Sequence, residues 1–170
     1  MRSNSSIQIT AFALASALIS ASPAVMAATA TTTMGVTATV LSTCIAVATP
    51  VTFGNYSLTA LDTSGLVTVT CTPDVTTYNV GLDAGTGAGA TTSSRKMTSL
   101  TTTDTLSYAL YRDASRTQNW GNSAGDMQAS SAATTTVGTI KTFSVFGRLM
   151  SNQTAGLGAY LDTIQVTVNY

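Results

Sequence analysis

The 170-residue chain contains no histidine and no glutamate, and its charges are few: seven Lys and Arg against seven Asp. Without histidine there is no base for a Ser-His-Asp triad and no imidazole to complete a zinc site. A formal net charge of +0 offers no field for nucleic acid or for an anionic membrane surface. The apolar run near the N-terminus, Ile9–Ser20, falls short of the roughly 18 residues that a membrane-spanning helix needs. No cofactor and no metal site is expected, and neither is membrane insertion. What remains is rich in Thr, Ala, Ser, Gly and Val, and Thr and Val favour half-buried, pleated surfaces.

The first segment reads as targeting rather than fold. Met1–Gln8 carries the lone charge Arg2, Ile9–Ser20 is mainly apolar and small, and Ser22-Pro23 breaks the run. Val25-Met26-Ala27 then supplies small or tolerated residues at the positions a signal peptidase reads. Residues 1–27 are therefore expected to be a signal peptide, cleaved after Ala27; the alternative is a cytoplasmic hydrophobic N-terminus. The remaining 28–170 suit one domain. Cys44 and Cys71 are an even pair in a secreted context and read as a disulfide. In the chain-entropy view, closing that loop stabilises the fold by roughly 3–4 kcal/mol. A two-cysteine metal site would lack partner ligands.

The periodicity along this domain is two, the mark of strands. Met34, Val36, Ala38 and Val40 alternate with Gly35, Thr37 and Thr39. Leu66–Thr70 runs into Cys71, and Thr72-Pro73-Asp74 makes a turn. Tyr78, Val80 and Leu82 alternate before a Gly-rich loop over 84–90. Leu106, Tyr108 and Leu110 form another strand, and a polar loop over 118–126 surrounds Trp120. Phe143, Val145 and Leu149 follow, with Gly147 among them, and 151–158 is a turn region. Tyr160, Ile164, Val166, Val168 and Tyr170 share one face of what reads as a single final strand. Strands at this spacing predict an all-β, immunoglobulin-like sandwich.

The last of these strands ends the sequence, so the strand that would close such a sandwich is expected to be missing. That leaves an apolar groove and an open edge, a template for strand addition. The segment before Cys44 has matching chemistry, with an apolar face and a Thr face. Burying Met34, Val36 and Val40 at about 1.5–3 kcal/mol each approaches the net stability of a domain, roughly 5–15 kcal/mol. The other reading of that segment is an ordinary edge strand of its own sandwich. An outer-membrane barrel is opposed by the cysteine pair, the Gly-rich loop and too few aromatics for two girdles.

Other features have plainer explanations. Asp104, Asp113 and Asp126 could supply paired carboxylates for acid–base work but read as turn residues. Trp120 reads as an anchor for its own loop rather than a sugar-stacking platform. Arg95-Lys96 reads as a solvated pair guarding an edge. The sequons at Asn55 and Asn152 read as chance matches.

Several blocks carry a resemblance. Leu106-Ser107-Tyr108-Ala109-Leu110-Tyr111-Arg112-Asp113 with Asn119-Trp120-Gly121 resembles the central signature of the spore coat protein U domain family. So do Phe143-Ser144-Val145-Phe146-Gly147-Arg148, Gln153, Gly158-Ala159-Tyr160-Leu161-Asp162-Thr163 and Val166-Thr167-Val168-Asn169-Tyr170. Cys44 and Cys71 stand where that family places its pair. Most such proteins in Gram-negative bacteria resemble subunits of archaic chaperone–usher pili. The resemblance implies donor-strand complementation, in which a periplasmic chaperone and then the next subunit, at an outer-membrane usher, fill an incomplete sandwich.

Carried onto this chain, residues 28–41 form the donor extension and 42–170 the pilin domain. Met34, Val36, Ala38 and Val40 are the inserting face, and Ile164, Val166, Val168 and Tyr170 line part of the acceptor groove and the chaperone-binding strand. The implied protein is a non-enzymatic shaft or adaptor subunit of a secreted surface pilus, polymerising with identical or related pilins in cell adhesion and biofilm formation. The extra domain of a tip adhesin is not expected, which favours a shaft or adaptor subunit. The alternative is a monomeric secreted coat or surface binding module whose N-terminal strand completes its own sandwich.

Overall fold

Alternation of apolar and polar residues at period two is realised as nine strands in a computed structural model that describes residues 28–130 and 139–170. The expected signal peptide and its cleavage point lie outside the described residues. The strands are β1 (Cys44–Ala48), β2 (Leu61–Cys71), β3 (Asn79–Leu82), β4 (Arg95–Ser99), β5 (Thr105–Tyr111), β6 (Gln128–Ala129), β7 (Thr139–Leu149), β8 (Tyr160–Leu161) and β9 (Val166–Asn169). Among the described residues there is no helix. The described residues up to Ala38 form one unit and Thr39–Tyr170 another.

Two antiparallel sheets make the second unit, a β-sandwich. One has six strands in the order β1-β2-β7-β5-β4-β8, and the other has three in the order β6-β3-β9. The β2–β7 ladder is its longest pairing, from Leu61 opposite Leu149 to Cys71 opposite Thr139. Every second residue of these strands is buried: Val67, Val69 and Cys71 on β2, Phe143, Val145 and Leu149 on β7, and Leu106, Tyr108 and Leu110 on β5. Tyr78, Val80 and Leu82 complete the core from the smaller sheet. Phe143 meets Tyr78 and Trp120 edge to face, each with ring centroids 6.3 Å apart, the favoured aromatic geometry.

The segment after β1 folds over the inner face of the larger sheet, and two glycines make room for it. A β-carbon on Gly65 would come within 2.8 Å of the Val51 side chain, and one on Gly147 would meet the same side chain at 2.8 Å. Phe53 then reaches Tyr108, ring to ring at 5.8 Å.

Two expectations are corrected. The final strand is not continuous: β8 pairs with β4 in the larger sheet, whereas β9 pairs with β3 in the smaller. Residues 162–165 carry the chain between sheets, and aspartates hold the crossing. Asp83 Oδ1 accepts from the Gln165 amide at 2.9 Å, and the Asp83 amide donates to the Gln165 carbonyl at 3.1 Å. Asp162 Oδ1 accepts from the Thr86 amide at 2.7 Å and from its hydroxyl at 2.9 Å. The second correction is Arg95, which is 0% exposed rather than part of a solvated pair. It faces inward because it sits opposite Tyr108, two residues from Met97 opposite Leu106.

Candidate functional site

The edges of the two sheets leave a seam that is open on its inner face. β1 ends the larger sheet and β9 ends the smaller. The two strands lie alongside each other, yet among the described residues no ladder joins them. Residues directly opposite in an antiparallel pair share a face. Ala46 and Ala48 are opposite Val69 and Val67, so they face the interior with two buried side chains, yet both are exposed. Val168 and Val166 are opposite Val80 and Leu82 and are only half-buried beside fully buried partners. The inner surface of the sandwich thus reaches solvent along this seam, and among the described residues neither β1 nor β9 pairs with a further strand there.

The sequence-predicted residues fall around the seam as follows. Val166 and Val168 lie on β9; Ile164 lies in the crossing before it, half-buried against the core. Tyr170 follows β9 and is exposed. Met34, Val36, Ala38 and Val40 are exposed and belong to no strand. Cys44 and Cys71 form a disulfide, joining the first residue of β1 to the last of β2.

A polar floor lies under the crossing that positions β9, and the sequence reading missed its centre. Arg95 Nε donates to the Asp83 carbonyl at 2.8 Å and Nη1 to Thr92 at 2.6 Å. Its Nη2 donates to the carbonyls of Leu82 at 3.0 Å and Trp120 at 2.7 Å. Burial pulls this guanidinium below its ordinary value, while Tyr108, Asp83 and Asp162 oppose the shift. Tyr108 donates its hydroxyl proton to Asp162 Oδ2 at 2.7 Å. Burial first, and then that bond to Asp162, push the phenol well above the usual tyrosine range.

Trp120 is buried and donates through Nε1 to the Val80 carbonyl at 2.8 Å, so it anchors its loop to β3. Gln153 acts as a substitute strand: Oε1 accepts from the Ser107 amide at 2.6 Å and Nε2 donates to the Ser107 carbonyl at 2.9 Å. The aspartates weighed for acid–base work serve loops instead. Asp104 accepts from Thr102 and the Gly156 amide, Asp113 from Ser115, Thr117 and Gln118, and Asp126 closes a turn with Ser123. The seam therefore offers two sheet edges without a further strand among the described residues and an apolar inner surface, the chemistry of strand addition.

Comparisons with known proteins agree with this architecture. A model of the Spore Coat Protein U domain matches residues 30–167. Protein U of Myxococcus xanthus is 31% identical over 110 residues, covering 63% of this chain and 59% of that protein. A chain in the crystal structure of the CsuC–CsuE chaperone–tip adhesion subunit pre-assembly complex, from archaic chaperone–usher Csu pili of Acinetobacter baumannii, is 28% identical with a TM-score of 0.57. That match covers 78% of this chain and 41% of the other. With its family model spanning most of the sequence and the sandwich to match, the chain belongs to the Spore Coat Protein U domain family.

Proposed function

We propose that this protein is a structural subunit of a chaperone–usher surface pilus, a shaft or adaptor pilin that polymerises by donor-strand exchange. The observation that carries the reading is the open seam: Ala46 and Ala48 face inward yet are exposed, and Val166 and Val168 are only half covered. An extended segment with apolar residues at every second position would cover that surface and pair with the free edge. The chain carries such a segment in Met34, Val36, Ala38 and Val40, all exposed. The likeness to a chain of a chaperone–subunit complex supports a periplasmic chaperone as the first occupant. On this reading an outer-membrane usher then exchanges it for the next subunit's segment. One subunit's segment filling another's seam is a heterologous contact, and such contacts propagate into open filaments. The protein would pass through the periplasm to the cell surface and serve attachment and biofilm formation.

The test compares protein beginning at Ala28, purified without a chaperone, with a variant carrying a second copy of residues 32–40 after Tyr170 through a short linker. The expected result is an aggregated, polymeric or barely stable parent and a monomeric variant with a much higher Tm. Two equally stable monomers would show a sandwich already complete and favour a monomeric binding module.

A further inference from the structure

The end of the sandwich where β2 begins and β7 finishes carries three apolar tips. There Leu61 lies opposite Leu149, which in turn lies opposite Tyr108. Three loops gather at this end, residues 49–60, 100–104 and 150–159. They are laced together: the Asn152 amide donates to the Leu58 carbonyl at 2.8 Å and the Gln153 amide to the Tyr56 hydroxyl at 2.8 Å. The Leu100 amide donates to Ala159 at 3.0 Å and the Gly156 amide to Asp104 at 3.0 Å. Each loop exposes a leucine: Leu58 is 58% exposed, Leu100 66% and Leu157 99%. Leu58 holds φ at 65°, a left-handed conformation that is costly for such a side chain and that persists only where the surroundings impose it. A rigid end tipped with leucines, in a sequence otherwise rich in threonine, calls for a partner.

Strand directions and chain length specify one. Cys44 is opposite Cys71, so β1 starts at the far end of the sandwich and runs toward the leucine end. β9 follows β8, whose Tyr160 pairs with Ser99 beside the leucine loops, and it runs away from them. Among the described residues every ladder is antiparallel, and the strand-exchange reading takes β9 as the acceptor edge. A strand added antiparallel to β9 therefore runs toward the leucine end and leaves there. In the copy that donates it, only Leu41, Ser42 and Thr43 separate Val40 from Cys44. Four residue steps span at most about 14 Å. The start of the donor's β1 is thereby tethered against the leucine end of the copy it completes. Around that start lie exposed Leu41 and Pro73, with Thr43 bound to the Thr72 hydroxyl at 3.0 Å.

We infer that Leu58, Leu100 and Leu157 form the seat for a second copy of this chain, receiving the residues around Leu41 and Pro73 and stiffening the joint between successive subunits. The inference rests on the strand-exchange reading above. Without a seat, a joint of three or four residues is a hinge, since linked domains move relative to each other unless a sizeable apolar interface holds them.

The experiment compares polymers of the parent and of a Leu100→Ser/Leu157→Ser variant by electron microscopy, together with adsorption of each to alkyl-coated beads. A variant with residues 32–40 appended after Tyr170 reports folding, and its Tm is expected to be unchanged by the two substitutions. Should the double variant fold poorly, Leu157→Ser alone replaces it. The expected result is that polymers still form but their persistence length falls roughly twofold or more. Equal persistence lengths overturn the seat, and equal lengths with lost bead adsorption reassign the leucines to an adhesive end. Failure of the parent itself to polymerise sinks the pilin reading, an outcome distinct from polymers whose stiffness ignores the leucines.

Discussion

A guanidinium without any exposed surface is tolerable only if its donors are matched, and Arg95 matches four carbonyls from three segments of chain. Arg95→Met would leave the carbonyls of Leu82, Asp83, Thr92 and Trp120 unsatisfied, and the expected loss is about 3–5 kcal/mol. Arg95→Lys should not rescue it, because one ammonium has three donors and lacks the planar fork. Urea unfolding checks both, and a midpoint unchanged in either variant would show that these carbonyls find other partners. Arg95 was legible in principle. It has the same parity as Met97 on a strand whose partner buries Leu106 and Tyr108, but its charge argued for the surface. Nothing local in the sequence announces that backbone carbonyls, rather than a carboxylate, will receive a buried cation.

Among the elements, the long strands were readable because each keeps one face buried along its length, as β2 and β7 do. The last strand was misread for a related reason. Ile164, Val166 and Val168 keep their parity through residues 162–165, so the side-chain pattern hides a change of sheet in the backbone. Asp162 was the available signal, an acidic residue at the parity of Tyr160 and Ile164. Gly147 supplies a prediction here. A β-carbon there would lie 2.8 Å from Val51 and 3.0 Å from Phe53, within the lid that covers the larger sheet. Gly147→Ala should cost about 1–3 kcal/mol by overpacking, and Gly147→Ala with Val51→Ala should recover part of it. Thermal melts of the single and double variants measure the coupling; strict additivity would mean that the lid simply moves aside.

For the molecule as a whole, composition excluded a great deal and geometry supplied the rest. The lack of histidine, the neutral charge and the Thr-rich alternation pointed to a sandwich with no evident catalytic machinery. The sequence pattern puts an open edge beside the last strand, and what it does not show is that β1 ends the other sheet alongside β9. The disulfide belongs to this scale, since it closes a separation of 27 residues. Reducing it, or replacing Cys44 and Cys71 by Ser, should destabilise the fold by roughly 3–4 kcal/mol, lowering Tm by about 10 °C or more. Calorimetry with and without reductant measures this, and an unchanged Tm would mean that the β1–β2 ladder alone holds the edge. The position of that bond also has a mechanical consequence. A pull applied from the N-terminal side arrives through Thr43 and meets the sulfur bridge before any hydrogen bond of β1. The Ser42–Asp74 and Thr43–Thr72 hydrogen bonds outside β1 yield first, but the first rung of β1 itself is covalent, so the load passes into β2 and its long ladder with β7.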